Sequence, residues 1–150
     1  MLLSKACIYG LRSSLFLATY ESGTYVSIKE ISETLDISFH FLTKILQQLT
    51  GAGILESQKG PNGGVRLSKP SSELCLFIIV EAIDGTEIFT ECVLGLKGCG
   101  TQKPCPMHEK WGKKRDDIQE MLKSTTLLEL VEKGKAGNLR ITSKGDFEWQ

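Results

Sequence analysis

The sequence predicts a mainly α-helical fold with one small β-hairpin: a winged helix-turn-helix followed by a long C-terminal dimerisation helix. Three observations predict it. Two short amphipathic helical patterns lie a few residues apart between positions 28 and 50, and two β-prone runs flank a glycine-rich turn at 59–64. A long helical stripe then occupies 107–125. A chain of 150 residues, 41% hydrophobic and 24% charged, is long enough for one ordinary core and is not composed like a disordered chain.

The first helix is predicted over residues 4–20, where Cys7, Ile8, Leu11, Leu15 and Ala18 recur at helical spacing until Gly23 breaks the pattern. Ser27 suits the N-cap of a second helix, Ile28–Leu35, and Glu30 three residues later completes a capping-box pattern. Asp36-Ile37-Ser38 is a tight turn. A third helix runs from about Phe39 to Thr50 and ends at Gly51 and Gly53. The strand Ile54–Gln58, the turn Lys59-Gly60-Pro61-Asn62-Gly63-Gly64 and the strand Val65–Ser68 make the wing. A fourth helix covers about Leu76–Ile83 and stops at Asp84-Gly85.

Residues 86–106 change character, with three cysteines and several glycines and prolines, and read as a loop held by something other than an apolar core. The helix from about Met107 to Thr125 places Trp111, Ile118, Met121 and Leu122 on one stripe, with Arg115 on the same side. Thr126 caps a final short helix, Leu127–Glu132, and the polar stretch from Lys135 reads as a loosely held tail. The expected organisation is therefore a winged helix-turn-helix over 1–85, a cysteine-rich loop over 86–106, a dimerisation helix and short helix over 107–134, and a tail over 135–150.

Basic and acidic residues balance at 18 each, so no global field advertises a polyanion as partner. The distribution is uneven: residues 1–70 hold seven basic and five acidic side chains. On the third helix Leu42, Ile45, Leu46 and Leu49 form the buried stripe, which turns His40, Thr43, Lys44 and Gln47 outward on one surface. Lysine can donate to guanine, glutamine to adenine, and threonine offers a hydroxyl and a methyl, so this face suits the major groove of double-stranded promoter DNA. Phe39 stands near the same end, where it packs or touches thymine methyls. In the wing, Lys59, Asn62 and Arg66 surround a turn whose glycines let backbone approach phosphate or the minor groove.

Cys92, Cys99 and Cys105, with His108 just beyond, supply three thiolates and one imidazole on a short segment. That donor set suits an iron–sulfur cluster or a structural zinc ion, and redox-active free thiols are a third reading. Cys7 and Cys75 lie in apolar stretches and read as core residues. Trp111, Arg115, Ile118, Leu122 and Thr125 fall near a heptad spacing, which a helix from a second subunit would cover, giving a homodimer; the chain's own winged domain is the other candidate. No stretch approaches the roughly 20 apolar residues of a membrane span, and Met1-Leu2-Leu3-Ser4-Lys5 does not open a secretory leader, so a cytoplasmic location without a membrane partner is expected. The sequence holds no HExxH and no phosphate-binding glycine motif, which argues against an enzyme.

From Met1 to about Leu130 the chain resembles the bacterial iron–sulfur cluster regulators of the IscR and NsrR type. The resemblance is carried by Tyr9-Gly10-Leu11-Arg12, Ile28-Lys29-Glu30-Ile31 and Ile37-Ser38-Phe39-His40-Phe41-Leu42. It continues through the wing from Lys59 to Leu67, the three cysteines with His108, and Thr125-Thr126-Leu127-Leu128-Glu129-Leu130. It implies a dimeric repressor or activator that binds palindromic promoter sites and changes affinity with cluster state, in response to iron–sulfur supply, redox stress or nitric oxide. It also implies a two-iron, two-sulfur cluster with His108 as its histidine ligand. Cluster-free relatives that answer to a thiol metabolite, and a zinc-containing regulator, stand as the alternatives.

Overall fold

The computed structural model describes residues 2–98, 100 and 102–150. Among these residues run seven α-helices, a short 3-10 turn at Ser71–Glu73 and one hairpin: α1 Lys5–Ala18, α2 Ile28–Leu35, α3 Phe39–Gly51, β1 Leu55–Gln58, β2 Gly64–Leu67, α4 Leu76–Asp84, α5 Glu87–Thr90, α6 His108–Ser124 and α7 Leu127–Gly137. The fold is thus mainly helical with a two-stranded antiparallel sheet, as the sequence predicts.

Local chemistry sets the boundaries. Ser4 caps α1 by accepting from the Cys7 N–H, and Ser27 caps α2 by accepting from the Glu30 N–H. The reciprocal half of the expected capping box differs: Tyr20 donates its hydroxyl to the Glu30 carboxylate. Asp36 ends α2 in the left-handed region at φ 55°, which turns the chain directly into α3. Leu42, Ile45, Leu46 and Leu49 bury the inner face of α3, as predicted. Full burial of such side chains contributes roughly 1.5–3 kcal/mol each, enough to outweigh the weak helix start at Ser38, which lacks a side-chain cap.

In the wing, Leu55 pairs with Leu67, Glu56 with Arg66, Ser57 with Val65 and Gln58 with Gly64. Val26 adds a bridge on the other side of Val65, exchanging two backbone hydrogen bonds of 2.9 Å. The segment before α2 is therefore stitched to the wing. Cys75 and Thr126 form a second antiparallel bridge, held by the residues beside them: Leu76 N–H donates to Thr125 O at 3.0 Å and Leu127 N–H donates to Leu74 O at 2.9 Å. That stitch fixes the end of α6 beside the start of α4.

The main core joins α1, α2, α3, the wing and Leu127 of α7. A second cluster comprises Cys7, Val80, Phe89 and Leu122, with Ile88 and Ile118 packed against it. Cys7 is therefore a core residue, as expected, whereas Cys75 is only half-buried.

Three expectations are corrected. Part of 86–106 folds: Glu87–Thr90 is helical because Phe89 and Ile88 find the second core, with Phe89 against Phe77 at 5.3 Å. α7 runs five residues beyond Glu132, to Gly137, because Val131 and Gly134 bury against the rest of the chain before Asn138 ends it in the left-handed region. The segment after it is tied down rather than loose. Arg12 donates to Ile141 O at 3.2 Å, Phe147 lies edge-on to Phe16 at 5.7 Å, and Trp149 donates its indole N–H to Leu139 O at 2.6 Å. Among the described residues no helix is long and apolar enough to cross a membrane.

Gly134 is where this tail seats, since a Cβ there would lie 2.1 Å from the Trp149 ring. Gly134→Ala should expel the indole and destabilise the chain by about 1–3 kcal/mol, the usual range for overpacking. Urea unfolding followed by tryptophan emission measures this, and an unchanged midpoint would contradict the docked tail.

Candidate functional site

Burial of the inner face of α3 leaves its outer face uncovered, and the wing stands beside it. Between them lies a groove of about 490 Å³. Phe39, Thr43 and Gln47 line it from α3, and Lys59 and Gly60 line it from the wing. Phe39 is 46% exposed at the N-terminal end of α3. Thr43 is half-buried, its hydroxyl donating to Phe39 O at 2.7 Å. His40 and Lys44 are exposed on α3 next to the groove, and Asn62 is exposed at the wing turn.

Arg66 departs from the expectation of a phosphate contact. Its Nε and Nη2 donate to one Glu56 carboxylate oxygen at 3.0 and 2.8 Å, and Nη1 donates to Gly23 O at 3.2 Å. The guanidinium also stacks over the Tyr25 ring at 4.5 Å. The reason is register: Arg66 sits directly opposite Glu56 in the hairpin, so opposite charges meet across the strands. Reading positions 54–58 and 65–68 as an antiparallel pair contains this contact, although charge alone does not reveal it.

Lys29 and Gln58 also line the groove, and neither was singled out from sequence. Lys29 is in the first turn of α2, and its amine lies 3.9 Å from the Glu33 carboxylate, an exposed pair of small energetic consequence. The signal for it was available, because the first turn of the helix preceding a recognition helix also flanks the DNA backbone.

The cysteine segment is held by α6. Glu91 O accepts from the Trp111 indole N–H at 2.9 Å and from Arg115 Nη1 at 3.3 Å. Cys92 follows immediately and is buried, its Sγ 3.3 Å from Sγ of the half-buried Cys105. The Cys105 thiol, then the backbone N–H groups of Leu94 and Leu96 and the Arg115 cation, hold the Cys92 thiol below the ordinary thiol range despite burial. His108, half-buried at the start of α6, donates its backbone N–H to Cys105 O at 3.0 Å. Cys99 lies outside the described residues. Among the described residues no three His, Cys, Asp or Glu side chains stand close enough to share a metal ion.

The two sulfurs do fit a common metal centre. Thiolates bound tetrahedrally at about 2.3 Å stand roughly 3.8 Å apart, close to the separation here, and backbone amides aimed at one sulfur suit an anionic ligand.

The expected dimer stripe is partly used within the chain. Leu122 is 5% exposed, packed with Cys7, Val80 and Phe89, and Ile118 rests on the same cluster. The correction has a simple cause: α4 and α5 cover that side of α6, and an amphipathic pattern does not specify which apolar surface it meets. Trp111 and Arg115 hold Glu91, and Thr125 is half-buried with its hydroxyl on Met121 O at 2.7 Å. The apolar side chain that α6 leaves uncovered is Met121, 56% exposed.

Comparison with known proteins agrees with this architecture. Residues 3–133 match the family model Rrf2, described as an iron-dependent transcriptional regulator. An HTH-type transcriptional regulator of Haemophilus influenzae is 32% identical over 139 residues, covering 93% of this chain and 90% of that protein. The protein aau3 of Rhizobium meliloti is 35% identical over 133 residues, covering 87% and 85%. Among solved structures, CymR, the global cysteine regulator of B. subtilis, superposes with a TM-score of 0.76 at 28% identity, covering 87% of this chain and 96% of that one. The IscR of T. potens superposes at 0.74 over 92% and 91%, with 22% identity, a likeness of fold. The chain belongs to the Rrf2 family of transcription regulators, which includes the IscR and NsrR type, and is a DNA-binding regulator rather than an enzyme.

Proposed function

We propose that this chain binds palindromic promoter DNA as a homodimer and reports iron–sulfur or redox status through its cysteine segment. The observation that carries the DNA reading is the groove in which α3, the wing and the first turn of α2 present Thr43, Gln47, Lys59 and Lys29 together. Phe39, His40, Thr43, Lys44 and Gln47 serve the major groove, and Lys59 and Asn62 serve the flanking backbone. Exposed Met121 supports pairing of α6 with a second copy, a contact that leaves Leu122 in the chain's own core. Such a dimer would present two recognition helices to two half-sites.

Cys92, Cys99, Cys105 and His108 would hold a two-iron, two-sulfur cluster; the paired sulfurs of Cys92 and Cys105 support this. When bound, the cluster supplies a centre whose integrity and charge respond to oxidants and nitric oxide. Trp111 and Arg115 act on it from the next layer by fixing the backbone before Cys92.

Replacing Thr43 and Lys44 together with alanine should abolish specific promoter binding and leave the fold intact, since each good base contact is worth roughly 1–3 kcal/mol. Footprinting that matches the unmodified chain would refute the assignment of α3. Lys59→Ala should weaken binding to every sequence and lower the slope of log affinity against log salt by about one. The double variant Glu56→Gln/Arg66→Gln should leave that slope unchanged, because the pair neutralises itself within the hairpin.

For the sensor, anaerobically prepared protein should contain iron and acid-labile sulfide. Cys105→Ala should prevent assembly, and His108→Ala should leave a labile cluster. One tightly held zinc ion without sulfide would replace the cluster reading. Light scattering at micromolar concentration should give the mass of two chains; a monomer would overturn the dimer.

A further inference from the structure

We propose that Cys92 and Cys105 are a dithiol–disulfide pair: when the cysteine segment is free of metal, a hydroperoxide links these two sulfurs within one chain.

The inference rests on how the sulfurs are carried. They stand 3.3 Å apart, so forming a disulfide of about 2.05 Å requires an approach of little more than about 1 Å. Both are borne by backbone fixed to the same helix. Before Cys92, the Glu91 carbonyl is gripped by Trp111 and Arg115 of α6; beside Cys105, the carbonyl accepts the N–H of His108, the first residue of α6. Behind Cys92, Phe89 seats α5 in the second core. The backbone at each of the two sulfurs is thus already positioned. The entropic cost of bringing the sulfurs together has been met by folding rather than by the oxidation itself.

Cys105 is the more exposed of the two, and Cys92 is 8% exposed. The chemistry therefore starts at Cys105. Its sulfur attacks the peroxide, forming an S–O bond as the O–O bond breaks, and one water leaves once protonated. The Cys92 sulfur then attacks the Cys105 sulfenic acid, forming the S–S bond as S–O breaks, and a second water leaves. In sum two thiols lose two electrons and two protons, and one hydrogen peroxide becomes two waters.

This pairing does not rest on the cluster reading, since it concerns the metal-free chain and its readout is a covalent link. The experiment treats the full-length chain, stripped of metal with a chelator under reducing conditions and then desalted, with one equivalent of hydrogen peroxide. Free thiols are alkylated, and the protein is digested without reductant for peptide mapping. The expected map shows Cys92 joined to Cys105 within one chain, Cys99 alkylated, and the link removed by dithiothreitol. Cys92→Ser should leave a sulfenic acid on Cys105 that dimedone traps, and Cys99→Ser should form the link at the unmodified rate. A link containing Cys99, a link between two chains, or sulfinic acid without any link would overturn the proposal. Mapping the unsubstituted chain decides the matter even where a variant folds poorly.

Discussion

Three helices meet where residue 10 has no side chain. A Cβ at Gly10 would lie 2.3 Å from Ile83 Cδ1, with Ile45 and Leu49 also within contact range. With only hydrogen at that position, α1 packs against α3 and α4 at once, and Ile83 fills the space that a side chain would take. Everything functional hangs on that crossing. It sets the tilt of α3, and so the face that bears Thr43 and Gln47. It also sets α4, whose end at Asp84 leads into the cysteine segment. Asp84 in turn takes the Ser4 N–H at 2.8 Å, so the start of α1 and the end of α4 are joined by a second, polar fastening. Burial and the Asp84 carboxylate push the Cys7 thiol up to about 12, leaving it a neutral packing group beneath the cysteine segment.

The winged half was legible because its signals are local. Ser27, Asp36 and the four-residue stripe of α3 each act within one or two turns, and the wing glycines mark a turn without reference to anything distant. The tail was opaque for the opposite reason. Phe147 and Trp149 are two aromatic residues in a polar stretch, and their partners, Phe16 and Gly134, lie far back in the chain or on another helix. Local patterning does not contain a contact of that sequence separation. The same limit explains α5, where two apolar side chains are too few to signal a helix until Phe77 and Val80 are placed opposite them.

The candidate site divides along the same line. Periodicity predicted that Lys44 faces outward and the wing turn predicted the same of Lys59, and both are exposed. Residues whose use depends on a partner were not found in this way. Arg66 belongs to Glu56 and Tyr25, and Trp111 and Arg115 belong to a backbone carbonyl. Carbonyls are present at every position, so no pattern of side chains announces which one an indole or guanidinium will choose. The cysteines fell between these cases: their number and spacing raised the expectation of a shared centre, while the closeness of Cys92 to Cys105 required the path of the chain.

The stitch between Cys75 and Thr126 gives α6 the mechanics of a lever. Its far end is pinned to the winged core by the bonds around Thr125, and its near end grips the segment before Cys92. At 1.5 Å per residue a helix of 17 residues is about 26 Å long, so a sideways step of about 1 Å at His108 turns it by only about 2° about that fulcrum. Displacement is therefore largest at His108 and fades to almost nothing at Thr125. A shift among the cysteines would therefore be felt along the first half of α6 and hardly at all at the wing.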